Sequence, residues 1–286
     1  MQTLERITDR FWYQTPVSET DRPILGVVIG DNQTLMIDAG NSEAHANYFL
    51  DELSNHNLPK PTLVAITHWH WDHIFGMSAL QFPSISSIHT KVEMEKMLQY
   101  SWTDEAIEER VREGVEIEFC ANAIKEEFEN NRNISISLPT ITFSDRIEID
   151  LGGVTCILQH VGGDHSTDSI VVYVKEEKIL FLADSIYPNI YMKKRNYTIK
   201  NVLLLLDILE IFDAETYILS HWKPISKEEY DAEAHLLRTS ATLTESFQGE
   251  FKQMKEALES KVARSLTEDE IETLEYFANG FELQVK

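Results

Sequence analysis

The run His68-Trp69-His70-Trp71-Asp72-His73 constrains this chain more than any other stretch. It follows directly on Leu63 to Thr67, which reads as a short buried strand. His68 and His70, two apart in extended chain, point the same way, and Asp72 with His73 follow at once. Imidazole nitrogen and carboxylate oxygen are donors that zinc favours, so the first pair suits one ion and Asp72 with His73 a second. With 10 His in 286 residues, three His and one Asp in this order arise by composition alone in roughly one such chain per thousand, which sets aside a merely polar loop.

Further donors stand where strands end. His165 follows Gly162-Gly163 and precedes Ser166-Thr167 and a strand, Asp184 ends the strand Ile179 to Ala183, and His221 ends Tyr217 to Ser220. Around them, Ile24 to Ile29 and Thr34 to Ile37 read as a buried hairpin closed by Asp38-Ala39-Gly40, and Ser42 caps a helix that runs to about Leu53. Lys91 to Asn130 turns helical and acidic, an insertion. A strand at Ile85 to Ile88 precedes it, and strands return at Ile141 to Phe143, Arg146 to Asp150, Val154 to Leu158 and Ile170 to Val174; Val202 to Phe212 is a helix and Thr216 to Leu219 a strand. Everything after Pro224 reads as helical, with capping boxes at Ser226 and Glu229 and at Thr267 and Glu270. The two strand-rich halves suggest two sheets face to face with helices outside, so that strand ends converge at one edge. We expect one domain over residues 1–224, with its helical insertion at about 91–130, and a helical extension over 225–286 packed on it.

Composition limits the partners. Lys plus Arg number 25 against 48 Asp plus Glu, a net charge of −23, which counts against nucleic acid and anionic membranes as partners. Cys120 and Cys156 alone make no disulfide framework. Met1 to Phe11 has no apolar run of the signal-peptide kind, and Val202 to Phe212 is interrupted by Asp207 and Glu210 and too short to span a bilayer, so a cytoplasmic protein is expected.

The motifs together resemble the metallo-β-lactamase superfamily. His68, His70, Asp72 and His73 match its His-x-His-x-Asp-His signature and Asp38 its early Asp; Gly163-Asp164-His165-Ser166 stands at its Pro-Gly-His-Thr-like turn, without the Pro; Leu180 to Asp184 matches its strand ending in a bridging Asp, and Ser220-His221 its last His. The resemblance spans about Leu25 to Trp222. It implies an α/β fold of the four-layer αββα kind, with His68, His70 and His165 on one metal, Asp72, His73 and His221 on the other, and Asp184 between. Two divalent ions are implied, zinc first, with iron or manganese as alternatives. His160, five residues upstream, competes for the third ligand position, and the Gly-rich turn favours His165.

The activity implied is hydrolysis by a metal-bound hydroxide of a small carbonyl-type substrate: lactone, thioester or amide. Asp72 doubles as a proton acceptor. Tyr187, three residues after Asp184, stands where lactonases of the superfamily keep a substrate-contacting tyrosine, and Lys193-Lys194-Arg195 is the densest basic cluster, suited to a carboxylate or phosphate. A phosphodiesterase or nuclease, or a mononuclear iron oxygenase, are the alternatives; a non-catalytic scaffold would have lost a ligand. Trp69, Trp71 and Trp222 are expected to pack the ligand loops against the sheets. His89 is read as structural near the site's mouth, and His45, His56 and His235, on helical stretches, as facing solvent. Leu236, Leu237, Leu243, Phe247, Tyr276, Phe277 and Phe281 are expected to pack on the chain's own core, with homodimerisation through the extension as the alternative.

Overall fold

The apolar runs of the two halves build two sheets in the computed structural model, which describes residues 2–285. The first half comprises β1 (Leu4–Arg6), β2 (Phe11–Gln14), β3 (Leu25–Ile29), β4 (Thr34–Ile37), α1 (Glu43–Asn55), β5 (Leu63–Ala65), the single turn α2 (Trp71–Ile74), β6 (Ser84–Ser87), α3 (Ile88–Met97), α4 (Asp104–Glu113), α5 (Glu118–Phe128) and β7 (Ile141–Phe143). The second comprises β8 (Arg146–Asp150), β9 (Thr155–His160), β10 (Ile170–Val174), β11 (Ile179–Ala183), α6 (Ile199–Leu209), β12 (Thr216–Leu219), β13 (Pro224–Ser226), α7 (Lys227–Phe247), α8 (Phe251–Val262) and α9 (Glu268–Val285). β1 to β7 lie in chain order in one sheet, and the other runs β13-β12-β11-β10-β9-β8.

Strand alternation makes the layers. Leu35 and Ile37 of β4, Val172 of β10 and Phe181 of β11 meet between the sheets, whereas Met36 faces α1 and the insertion and Leu180 and Leu182 face α6 and the C-terminal helices. Strands buried on both faces read as continuous apolar runs. The result is an αββα sandwich.

Three local readings change. β1 and β2 add an N-terminal edge to the first sheet that the short, mixed segments Leu4–Arg6 and Phe11–Gln14 did not announce. Pro224–Ser226 is not helical but an edge strand paired antiparallel to β12, a place where a residue without an N–H is tolerated. His45 does not face solvent: it is fully buried on the inner face of α1, its Nε2 lies 3.1 Å from Gln2 Nε2, and the Asn41 N–H approaches its Nδ1 at 3.4 Å. Burial holds its pKa well below the usual histidine range. His56 and His235 are exposed.

The C-terminal helices pack on the same core as α6. Leu237, Met254, Leu258, Leu274 and Phe277 join Val202, Leu205 and Leu206 in one cluster, with Leu236, Leu243, Phe247 and Tyr276 packed against it. α9 also grips the chain between β11 and α6: the Tyr197 N–H donates to Tyr276 O at 3.0 Å, and Asn279 Nδ2 to Arg195 O at 3.0 Å. Gly280 permits this approach, because a Cβ there would overlap the Tyr197 carbonyl. Gly280→Val should therefore destabilise the fold by about 1–3 kcal/mol through overpacking, read as a lowered thermal midpoint. An unchanged midpoint would remove this contact from the account. Among the described residues, no helix is long and apolar enough to cross a membrane.

Candidate metal centre

β4 and β5 run parallel in one sheet and β11 and β12 in the other, so their C-terminal ends deliver side chains to one edge of the sandwich. Asp38 follows β4, His68 to His73 follow β5, Asp184 follows β11 and His221 comes two residues after β12; His165 stands in the β9–β10 connection. The backbone is strained at two of these points. Asp38 has φ +60° and Ala183, beside Asp184, φ +50°, where the β11–β12 register shifts. Gly163 turns the chain before His165 at φ +117°, and a Cβ there would lie 2.7 Å from Ser185 O.

The seven donors gather in two groups, His68, His70 and His165, and Asp72, His73, Asp184 and His221; within each group one ligand atom per residue lies within 4.8 Å of the rest. His70 Nδ1 is 3.1 Å from His68 Nε2 and 3.0 Å from His165 Nε2. Asp72 Oδ2 is 3.0 Å from His73 Nε2 and 3.1 Å from His221 Nε2. Asp184 Oδ2 faces both groups, at 3.3 Å from His165 and His221 Nε2, 3.4 Å from His73 Nε2 and 3.8 Å from His68 Nε2. Asp72 Oδ2, His73 Nε2 and Asp184 Oδ1 are buried yet make no hydrogen bond. Buried donors that face one another unbonded are costly alone and satisfied by a shared cation, so the set fits divalent metal.

Neighbours fix which nitrogen each ring presents. Asp38 accepts from Thr67 N at 2.8 Å and Thr67 Oγ1 at 2.9 Å, and its Oδ2 takes His73 Nδ1 at 2.8 Å, which leaves His73 Nε2 free. The Thr67 hydroxyl, donating to Asp38, accepts from His68 Nδ1 at 3.1 Å and leaves His68 Nε2 free. Asp21 Oδ1 stands 3.4 Å from His221 Nδ1. Asp168 accepts from Trp69 N at 2.9 Å and from the Ser166 hydroxyl, joining the two ligand loops. Asp164 ties the turn before His165 to α6 by accepting from Thr198 N at 2.6 Å and Asn201 Nδ2 at 2.8 Å. Asp21, Asp168 and Thr67 carried no motif of their own.

The electrostatics follow from burial and crowding. Burial and the neighbouring imidazoles hold His68 and His70 well below the usual pKa, in the neutral form that ligates. Burial opposes ionisation of Asp72 and Asp184, but the charges of His73 and His221 hold both carboxyls well below their usual range. Burial likewise opposes charge on His73 and His221, and the surrounding carboxylates outweigh it, raising both. Cation binding must displace those protons. Burial and the Asp72 charge push Asp21 up to about 7.

A cavity of about 490 Å³ opens on His70, Asp72, His165, Asp184 and His221. Its other walls include Ile117, Phe119 and Cys120 of the insertion, Tyr187, Ile190 and Tyr191 of the loop after β11, and Trp222. Tyr187 has its ring 6.1 Å from His165 and 6.5 Å from His221, and burial with the Asp184 charge raises its pKa, keeping the phenol protonated. Of the basic cluster, Arg195 lines the cavity; Lys193 is exposed elsewhere, and Lys194 stands 3.7 Å from Glu282. His160 lies apart from both groups, its Nε2 bonded to Thr167 O at 2.9 Å and its ring against His89. Trp71 is buried against Phe75 and Trp69 half-buried against Tyr191, whereas Trp222 is 65% exposed and packs nothing down.

The sequence model of the metallo-beta-lactamase superfamily matches residues 20–221. The chain is 24% identical over 155 residues to a metallo-beta-lactamase type 2 of Bacteroides fragilis, covering 54% of this chain and 49% of that protein. It is 26% identical over 192 residues to the acyl-coenzyme A thioesterase MBLAC2 of Bos taurus, covering 62% and 63%. The matches thus span about half of the first relative and less than two thirds of the second. In fold it is similar to a metallo-beta-lactamase from Pontibacter korlensis, with TM-score 0.57, 18% identity, and 82% and 98% of the two chains covered. It is similar also to the stereoselective inverting sec-alkylsulfatase Pisa1 from Pseudomonas sp., with TM-score 0.67, 14% identity, and 100% and 52% covered. Because the matched stretch begins before β3 and ends at His221, enclosing every residue of both donor groups, this chain belongs to the metallo-β-lactamase superfamily, and the relatives named above are hydrolases.

Proposed function

We propose that the protein is a metal-dependent hydrolase of small carbonyl-type substrates, with thioesters ahead of lactones and amides. The observation that carries this reading is one cavity of about 490 Å³ lined by donors from both groups and otherwise mainly by apolar side chains. The thioesterase relative supports the thioester within that class. His68, His70 and His165 would hold one divalent ion, and Asp72, His73 and His221 a second, with Asp184 facing both; the imidazole and carboxylate set favours zinc. When bound, such ions supply Lewis acidity toward the carbonyl oxygen and a water acidic enough to attack near neutral pH.

The chain's own residues do the rest. Asp72 accepts the proton that the attacking water loses. Tyr187, held protonated, donates a hydrogen bond to the oxygen on which negative charge develops. Arg195 receives an anionic part of the substrate, with Lys193 and Lys194 adding long-range attraction.

Metal analysis with a panel of acyl thioesters, lactones, β-lactams and bis-p-nitrophenyl phosphate tests the reading. Turnover of thioesters or lactones, lost with a chelator and restored by zinc, is expected; a higher kcat/KM on the phosphodiester, or no metal bound after reconstitution, would overturn it. Tyr187→Phe should keep its metals and lose at least roughly tenfold in kcat on the preferred ester, a modest share of what one oxyanion donor contributes because the metals share that charge. Full activity would remove Tyr187 from the mechanism.

A further inference from the structure

Two large aromatic side chains stand open at the cavity rather than packed away. Phe119, in the first turn of α5, is 55% exposed, and Trp222, next to His221, is 65% exposed. Single exposed apolar residues need no explanation. These two belong to one wall, because Ile117, Pro188, Ile190 and Tyr191 line the same space. The wall is continuous with the donor groups: the Tyr191 ring lies 5.1 Å from that of His70 and 6.3 Å from that of Trp69.

The wall is also firmly mounted. Cys120, Ala121 and Ile124 bury the inner face of α5 against the first sheet's helical layer, and the Ile117 N–H donates to Glu116 Oε1 at 3.0 Å. The loop that brings Pro188, Ile190 and Tyr191 to the same lining is fastened by Tyr187 N to Asp184 O at 2.9 Å and, further on, by the α9 contacts to Tyr197 and Arg195. A preformed apolar surface binds an apolar group with little ordering cost. Its chemistry is uneven in a useful way. The charged lining residues are the metal-donor side chains, Asp21 and Arg195, and the remainder of the lining is Ser18 with apolar or aromatic side chains.

The geometry points to a binding site for a straight aliphatic acyl chain along Ile117, Phe119, Ile190 and Trp222, so that the preferred substrates are acyl thioesters with chains longer than acetyl. This rests on the hydrolase reading above and adds its acyl specificity. The reaction consumes one water: a C–O bond forms at the acyl carbon, the C–S bond breaks, and a carboxylic acid and a thiol leave, with nothing oxidised. Burial of each further methylene against the wall should raise kcat/KM about fourfold, roughly two orders of magnitude from acetyl to hexanoyl.

The experiment uses zinc-loaded enzyme and S-acyl-N-acetylcysteamine thioesters from acetyl to decanoyl, with benzoyl added. Wild type is compared with Phe119→Ser and Trp222→Ser, and metal content is measured for each. The expected result is a kcat/KM that climbs with chain length in wild type, and a hexanoyl-to-acetyl ratio that falls about tenfold or more in each variant at unchanged metal content. A flat series in wild type, or a preference for benzoyl, would overturn the acyl-chain site while leaving the hydrolase reading intact. A climb that neither variant alters would overturn the assignment to this wall. Failure of every thioester with metal bound, while lactones are turned over, would overturn the acyl-thioester site alone; failure of lactones as well would overturn the hydrolase reading.

Discussion

His70→Ala is expected to release metal and to lower kcat/KM by at least about a thousandfold. His70 Nδ1 sits between the nitrogens of His68 and His165, at 3.1 and 3.0 Å, so its loss leaves that group two donors where a stable site needs three or more. Polarisation of a carbonyl by a bound cation contributes several kcal/mol to the transition state, and about 4 kcal/mol corresponds to about a thousandfold in rate. His70 belongs to the connection after β5 rather than to a strand, so the two sheets should survive the change. Elemental analysis beside steady-state kinetics decides it: a variant that stays both metal-replete and active would refute the assignment of His70 as a ligand.

Asp38→Asn should weaken metal binding by about 10- to 100-fold although no donor is touched, the scale typical of residues that orient metal ligands. The change is nearly isosteric, and Asn tolerates the φ of +60° at this position. The difficulty is hydrogen-bond chemistry. Both carboxylate oxygens of Asp38 accept, one from Thr67 N and the other from Thr67 Oγ1 and His73 Nδ1. An amide has one acceptor, so whichever way it turns, its NH2 confronts a donor. His73 then loses the partner that holds its proton on Nδ1 and keeps Nε2 free. Competition with a chromophoric chelator measures the loss, and circular dichroism checks that the fold is kept. Wild-type affinity in the variant would show that His73 needs no orientation from Asp38.

The burial of His45 has no local signature in the sequence. A lone histidine on an amphipathic helix is as consistent with solvent as with core, and α1 settles the matter by which face it lays on the first sheet. Pro224–Ser226 is similar: the capping box at Ser226 and Glu229 correctly marks the start of α7, but nothing local shows that the three residues before it pair with β12. The basic cluster is divided for the same reason, since Arg195 turns to the cavity while Lys194 lies near Glu282 on α9.

Which residues could gather as donors and which segments form buried strands is legible in the chain, because both are written at short range. His68 and His70 share a direction through the two-residue period of extended chain, and β10 and β11 are apolar at every position because both their faces are covered. How the donors are aimed and what surrounds them depends on the packed layers. Asp168 meets Trp69 across 99 residues of chain, Asp164 meets Asn201 across 37, and α9 reaches Arg195 across 84. Such contacts arise from the packing of whole layers. Aspartate, threonine and glycine in isolation carry no local signal of the partner they will meet, so the orientation of the centre and the shape of its cavity exist only once both sheets and their helices are in place.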